Sequence, residues 1–181
     1  MSRVKKLKIY IASSFDQITE VKLLSRDLER LGFVITEKWW ERIYQVEGLG
    51  PRETSDLKKV YEALSPEEFY AKPETGKSFA VDARAVMRAD VLVYLAGEDP
   101  CKHNGASVEY GIAVGLGKPC LLLGELETSV MFTPLIRCRS EVDLFNRLWV
   151  LEGLKIPEYP ASTRGLEAII DLVLSGGSRV D

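Results

Sequence analysis

At 181 residues, 46% hydrophobic and 28% charged, the chain suits one globular domain with a sizeable core and is too short for two comfortable ones. A net charge of −3 argues against a surface built to grip nucleic-acid phosphates, and no apolar run approaches membrane-spanning length. Three separated cysteines and one histidine, His103, exclude a disulfide framework, a CxxC zinc site and any metal centre resting on two histidines; a reducing cytoplasm is the simplest setting.

The basic start is followed by LKIYIA (7–12), too brief for a signal peptide and apolar enough for a buried parallel strand. Ile18, Val21, Leu24, Leu28 and Leu31 then recur at helical spacing over 17–31. Gly32 stops that helix, and Phe33-Val34-Ile35 begin a second strand. From 39 to 77 the pattern loosens, and an insertion with one or two helices is expected to lie over an edge of the sheet. A KPETGK turn closes it. TGKS at 75–78 imitates the end of a phosphate-binding loop, but Ala71 stands where the first glycine is needed. Residues 79–89 read as a helix and 90–95 (DVLVYL) as a strand. The loop GEDPCKHNG follows, then a helix near 106–116, a Gly-Lys-Pro turn and the strand Cys120–Leu123. A weaker strand near 135–138 and helices near 141–152 and 163–175 finish the chain.

Apolar strands alternating with amphipathic helices predict an α/β fold of Rossmann-like or flavodoxin-like kind: three layers around a parallel sheet of about five strands. Ligands of such sheets sit outside the carboxyl ends of the strands. That points to Ser13–Gln17, to Ala96–Ser107 and to the segment after the second strand. Glu109 is expected in the first turn of the helix after the third strand, where the helix dipole favours a charged carboxylate. Such a group suits attack on an anomeric carbon. Gly105 would let backbone approach a sugar, and Tyr10 could donate a hydrogen bond to the carboxylate. Plainer roles exist for each: a dipole-complementing glutamate, a solvated Asp82, a core tyrosine, Ser13 and Ser14 as helix caps, and an exposed His103. Trp39 and Trp40 could wall a base-stacking pocket, although one of them must face the core.

Taken together, KIYIASSF (8–15), DARAVMRADVLVY (82–94), NGASVEYGIAVGLGKP (104–119) and the strand after them resemble the nucleoside 2-deoxyribosyltransferase family, which includes related nucleotide N-glycosidases. The most specific element is Gly-x-x-x-Glu-x-Gly-x-Ala (Gly105, Glu109, Gly111, Ala113), set after an Asp-x₇-Asp junction (Asp82, Asp90). The resemblance implies Glu109 as nucleophile, Tyr10 orienting it, and Asp82 binding or protonating the base. It further implies Ser13, Ser14 and Ser107 near a 5′-phosphate; Phe15, Trp39 and Gly105 are also expected against the substrate. His103 replaces an aspartate common in the family and would serve as base-recognition group or acid. A small nucleoside or nucleotide substrate, no cofactor or metal, no nucleic-acid or membrane partner, and a homo-oligomer are its other implications. Two alternatives are NAD glycohydrolase activity of the TIR-like kind and a nucleotide-sensing module without turnover.

Overall fold

Sequence runs without polar interruption form the centre of the sheet. The computed structural model describes residues 6–46, 50–54, 56, 73–97, 104–125 and 135–153. Strands β1 (Lys8–Ala12), β2 (Val34–Ile35), β5 (Val91–Leu95), β6 (Cys120–Leu123) and β7 (Ile136–Cys138) make one sheet in the order β2-β1-β5-β6-β7. Every pairing in it is parallel. Ile9, Tyr10, Ile11 and Ala12 of β1 and all five residues of β5 are buried, as expected of strands covered on both faces. Numbered within the sheet alone, the order is 2-1-3-4-5, the doubly wound flavodoxin-like arrangement, as the alternation of strands and helices predicts.

Among the described residues four helices flank this sheet: α1 (Ile18–Arg30), α2 (Pro73–Arg88), α3 (Asn104–Gly115) and α4 (Glu141–Gly153). Helix α1 buries Val21, Leu24 and Leu28 on one stripe. It ends in a Schellman motif at Gly32, whose φ is 98°: Phe33 N–H donates to Leu28 and Gly32 N–H to Glu29. Helix α4 starts on Ser140, whose hydroxyl accepts from the Asp143 N–H at 3.2 Å, while the Asp143 carboxylate accepts from the Arg139 N–H. Leu144 and Leu148 are its buried anchors.

Two motif residues are structural. Asp90 clamps the amino end of β1, accepting from the Lys8 N–H at 2.9 Å and returning its own N–H to the Lys8 carbonyl. Lys118 of the Gly-Lys-Pro turn donates to the Met87 and Ala89 carbonyls, capping the end of α2.

In the segment expected as an insertion with one or two helices, the described residues include a hairpin, while 47–49, 55 and 57–72 lie outside the described residues. After a single 3₁₀ turn at Trp39–Glu41, β3 (Ile43–Val46) pairs antiparallel with β4 (Gly50–Glu53), a sheet separate from the main one. Thr54, fully buried, fastens it: its hydroxyl lies 2.8 Å from the Trp39 carbonyl. The helix beyond begins at Pro73, a residue preorganised for a first helical turn. The predicted KPETGK turn and the TGKS imitation are therefore largely helical, and a phosphate loop is ruled out there. The predicted helix at 163–175 lies outside the described residues.

Candidate active site

The strand order reverses between β1 and β5, and in sheets of this kind ligands sit outside the carboxyl ends of the strands at such a reversal. Ser13, just past β1, has its hydroxyl 3.0 Å from the Leu95 carbonyl at the end of β5 and 3.1 Å from Gln17 Oε1. That contact ties the two strand ends together. Ser14 is buried and precedes a 3₁₀ turn without capping it through its side chain, so the capping reading of these serines does not hold.

Three residues far apart in sequence meet beneath this edge. The Tyr10 hydroxyl, fully buried on β1, lies 2.6 Å from Glu109 Oε1 on α3 and 3.1 Å from Asp82 Oδ1 on α2. The structure thus brings Tyr10, Asp82 and Glu109 together. It adds a residue that sequence reasoning missed: Arg42, after the 3₁₀ turn. Its Nη1 donates to Asp82 Oδ2 at 3.2 Å, its Nη2 donates to Asp82 Oδ1, and its Nε donates to Glu37 Oε1 at 3.0 Å. Nothing in the WWER stretch distinguishes this arginine from a surface one, because the hairpin that places it has no motif of its own.

The electrostatics correct one expectation. Helix α3 opens at Asn104, which puts Glu109 in the second turn, where the dipole is weak. Glu109 is only partly covered as a residue, yet its carboxyl sits in a densely packed setting. Burial, then the charge of Asp82, hold it well above the usual glutamate range, against the opposing Tyr10 hydrogen bond and the Arg42 charge. Asp82 is raised by burial as well, but the Arg42 hydrogen bond and charge pull it back. Two close carboxyls in one pocket thus share their protons, with Arg42 favouring charge on Asp82. Burial and both carboxylates push the Tyr10 phenol up, so it stays a donor.

The other expected contacts divide. Burial raises the phenol of Tyr94, a residue of β5, and the Ser107 side chain on α3 opposes that rise. A Cβ at Gly105 would meet open space, so packing does not demand glycine there. Trp39 is 6% exposed, donates its indole N–H to the Ile11 carbonyl at 2.9 Å and meets Phe15 and Trp40 edge-on, at 5.7 and 5.5 Å. It is a pillar under the site and not an open stacking wall; the exposed ring is Phe15. His103 lies outside the described residues. An apolar hollow lined by Leu121, Ile136, Asn146, Arg147, Val150 and Leu151 includes none of the clustered acids.

No protein-family model matches the chain, and no curated relative matches it. Among solved structures it is similar to a CMP N-glycosidase of Clostridium botulinum, BcmB. The identity is 14%, over 79% of this chain and 98% of that one, with a TM-score of 0.45.

Proposed function

We propose that this protein cleaves the N-glycosidic bond of a nucleoside or nucleoside monophosphate through a covalent intermediate on Glu109. One observation carries the reading: a buried tyrosine hydroxyl 2.6 Å from a glutamate whose pKa is raised, with a second carboxylate beside them, at the reversal point of a parallel sheet. Strongly perturbed acids in a ligand crevice mark functional sites. The ordered motifs that resemble nucleoside 2-deoxyribosyltransferases converge on these side chains.

In the proposed reaction Tyr10 holds Glu109 Oε1 and Glu109 gives up its proton as substrate settles. The carboxylate then attacks C1′, forming the Glu109–C1′ ester while the C1′–N bond breaks and the electron pair leaves with the base. The base leaves with the proton that Glu109 gave up, with Asp82 contacting it. Water, or a second base, next attacks C1′; the Glu109–C1′ bond breaks and the proton of the attacking group returns to the Glu109 carboxyl, restoring the starting state. Ser13 and Ser107, near the ends of β1 and β5, would face the 5′ side of the sugar, and Phe15 offers an exposed ring. The reading calls on no cofactor: Glu109, Tyr10 and Asp82 supply its nucleophile, its positioning group and its contact to the base. A site completed by a second copy of the chain belongs to the same proposal.

The test is release of free base from a panel of nucleosides and their monophosphates. Turnover by the native chain that falls by orders of magnitude in Glu109→Ala supports the reading; unchanged turnover in that variant removes it. Nicotinamide release from NAD, with none from the panel, would favour the NAD glycohydrolase alternative.

A further inference from the structure

We propose that Arg42 is a positioning residue for this reaction: by gripping both oxygens of Asp82 it leaves the single hydroxyl proton of Tyr10 to Glu109. The inference rests on the glycosidase reading above and deepens it.

Tyr10 has one proton to donate and two carboxylates in reach, Glu109 at 2.6 Å and Asp82 at 3.1 Å. It cannot serve both well. Arg42 settles the competition by supplying Asp82 with two N–H donors, one to each oxygen, in the forked geometry that guanidinium offers and ammonium does not. Asp82 then needs nothing from Tyr10. When Glu109 ionises, the phenol is committed to it, fixing one oxygen and so the direction in which the other faces.

Arg42 is itself fixed. Its Nε is held by Glu37, and its backbone N–H donates to the Trp39 carbonyl at 3.4 Å. The Thr54 hydroxyl, 2.8 Å from the Trp39 carbonyl, also lies 3.4 Å from that of Arg42. The hairpin β3–β4 lies apart from the main sheet, and the residue that follows it, Thr54, holds the backbone from which this guanidinium extends. The side chains of Arg42 and Asp82 are 15% and 18% exposed, so the pair is shielded from the screening that makes surface pairs weak. Among the described residues, the ionisable groups facing each other here are Glu37 and Arg42 before β3, Tyr10 on β1, Asp82 on α2, Tyr94 on β5 and Glu109 on α3. Arg42 is the cation among them. Removing it makes both Asp82 and Glu109 hold protons more tightly and returns Tyr10 to the competition.

The experiment follows the carboxyl carbons of ¹³C-labelled Asp and Glu by NMR titration in the native chain, Arg42→Gln and Arg42→Lys, beside pH profiles of kcat/KM. Arg42→Gln is expected to move the Asp82 and Glu109 titrations and the acid limb to higher pH and to lower kcat/KM by about tenfold or more. Arg42→Lys should bring the limb back without the full rate, because charge returns but the fork does not. If Arg42→Gln does not fold, Thr54→Val loosens the anchor and should shift both titrations the same way by less. Unmoved titrations in the folded variant, or a native rate in Arg42→Gln, overturn the proposal. A native chain that releases no base from any substrate defeats the glycosidase reading, while the titrations still decide whether Arg42 sets these protons.

Discussion

Replacing Tyr10 by Phe removes one oxygen from the centre of the site and leaves the ring packed in the core. The lost bond is short, buried and made to a carboxylate, at 2.6 Å. A hydrogen bond to a charged group contributes about 1.5–3 kcal/mol, which corresponds to roughly ten- to a hundred-fold in kcat/KM if it is made in the transition state. The pH dependence carries a sign. The Tyr10 bond lowers the Glu109 pKa against burial and Asp82, so its loss lets that pKa climb further. Glu109 attacks only when ionised, so the acid limb of kcat/KM should move to higher pH, and the deficit should be largest below that limb. Steady-state base release across pH, with circular dichroism to verify folding, measures both effects. A folded Tyr10→Phe chain within about twofold of the native rate at every pH, or a limb displaced to lower pH, would refute the role given to the phenol.

Other consequences can be measured without turnover. Because the folded-state pKa of Glu109 is raised, the native state holds a proton there that the unfolded chain has released, and stability falls as pH rises from the ordinary glutamate range through the folded value. Glu109→Gln should therefore raise the Tm at neutral pH while abolishing activity, with the gain vanishing below the ordinary glutamate range; equal Tm differences at all pH values would contradict this. Gly32→Ala forces a side chain onto a left-handed residue at φ 98° and should cost about 1–2 kcal/mol in urea unfolding. Ser140→Ala removes the acceptor for the Asp143 N–H and should cost about 1 kcal/mol by the same measurement.

The sheet was legible because its central strands are buried on both faces and so read as unbroken apolar runs, and because Gly32 marks a stop that its Schellman bonds require. Tyr10, Asp82 and Glu109 were legible as an ordered set through the resemblance to nucleoside 2-deoxyribosyltransferases, residue by residue the plainer readings being as good, and the alternation of strands and helices placed their elements. Arg42 was not. It reaches Asp82 from 40 residues away, carried by a hairpin whose strands Ile43–Val46 and Gly50–Glu53 are too short to declare a period. Trp39 misled for a related reason: an aromatic beside a predicted edge looks available for stacking, and only its indole bond to Ile11 shows that it is spent on the core. Glu109 was expected in a first turn, held charged by the helix dipole; α3 already includes Asn104, which puts Glu109 in a later turn, and burial raises its carboxyl above the usual range.

Mass analysis of the chain during turnover of a substrate fluorinated at the sugar 2′ position, which slows release of a glycosyl ester, reads the nucleophile directly. A sugar-mass adduct that maps to the peptide carrying Glu109, and is lost in Glu109→Gln, is the predicted result. Base released with no adduct on Glu109, or an adduct on another side chain, would contradict it.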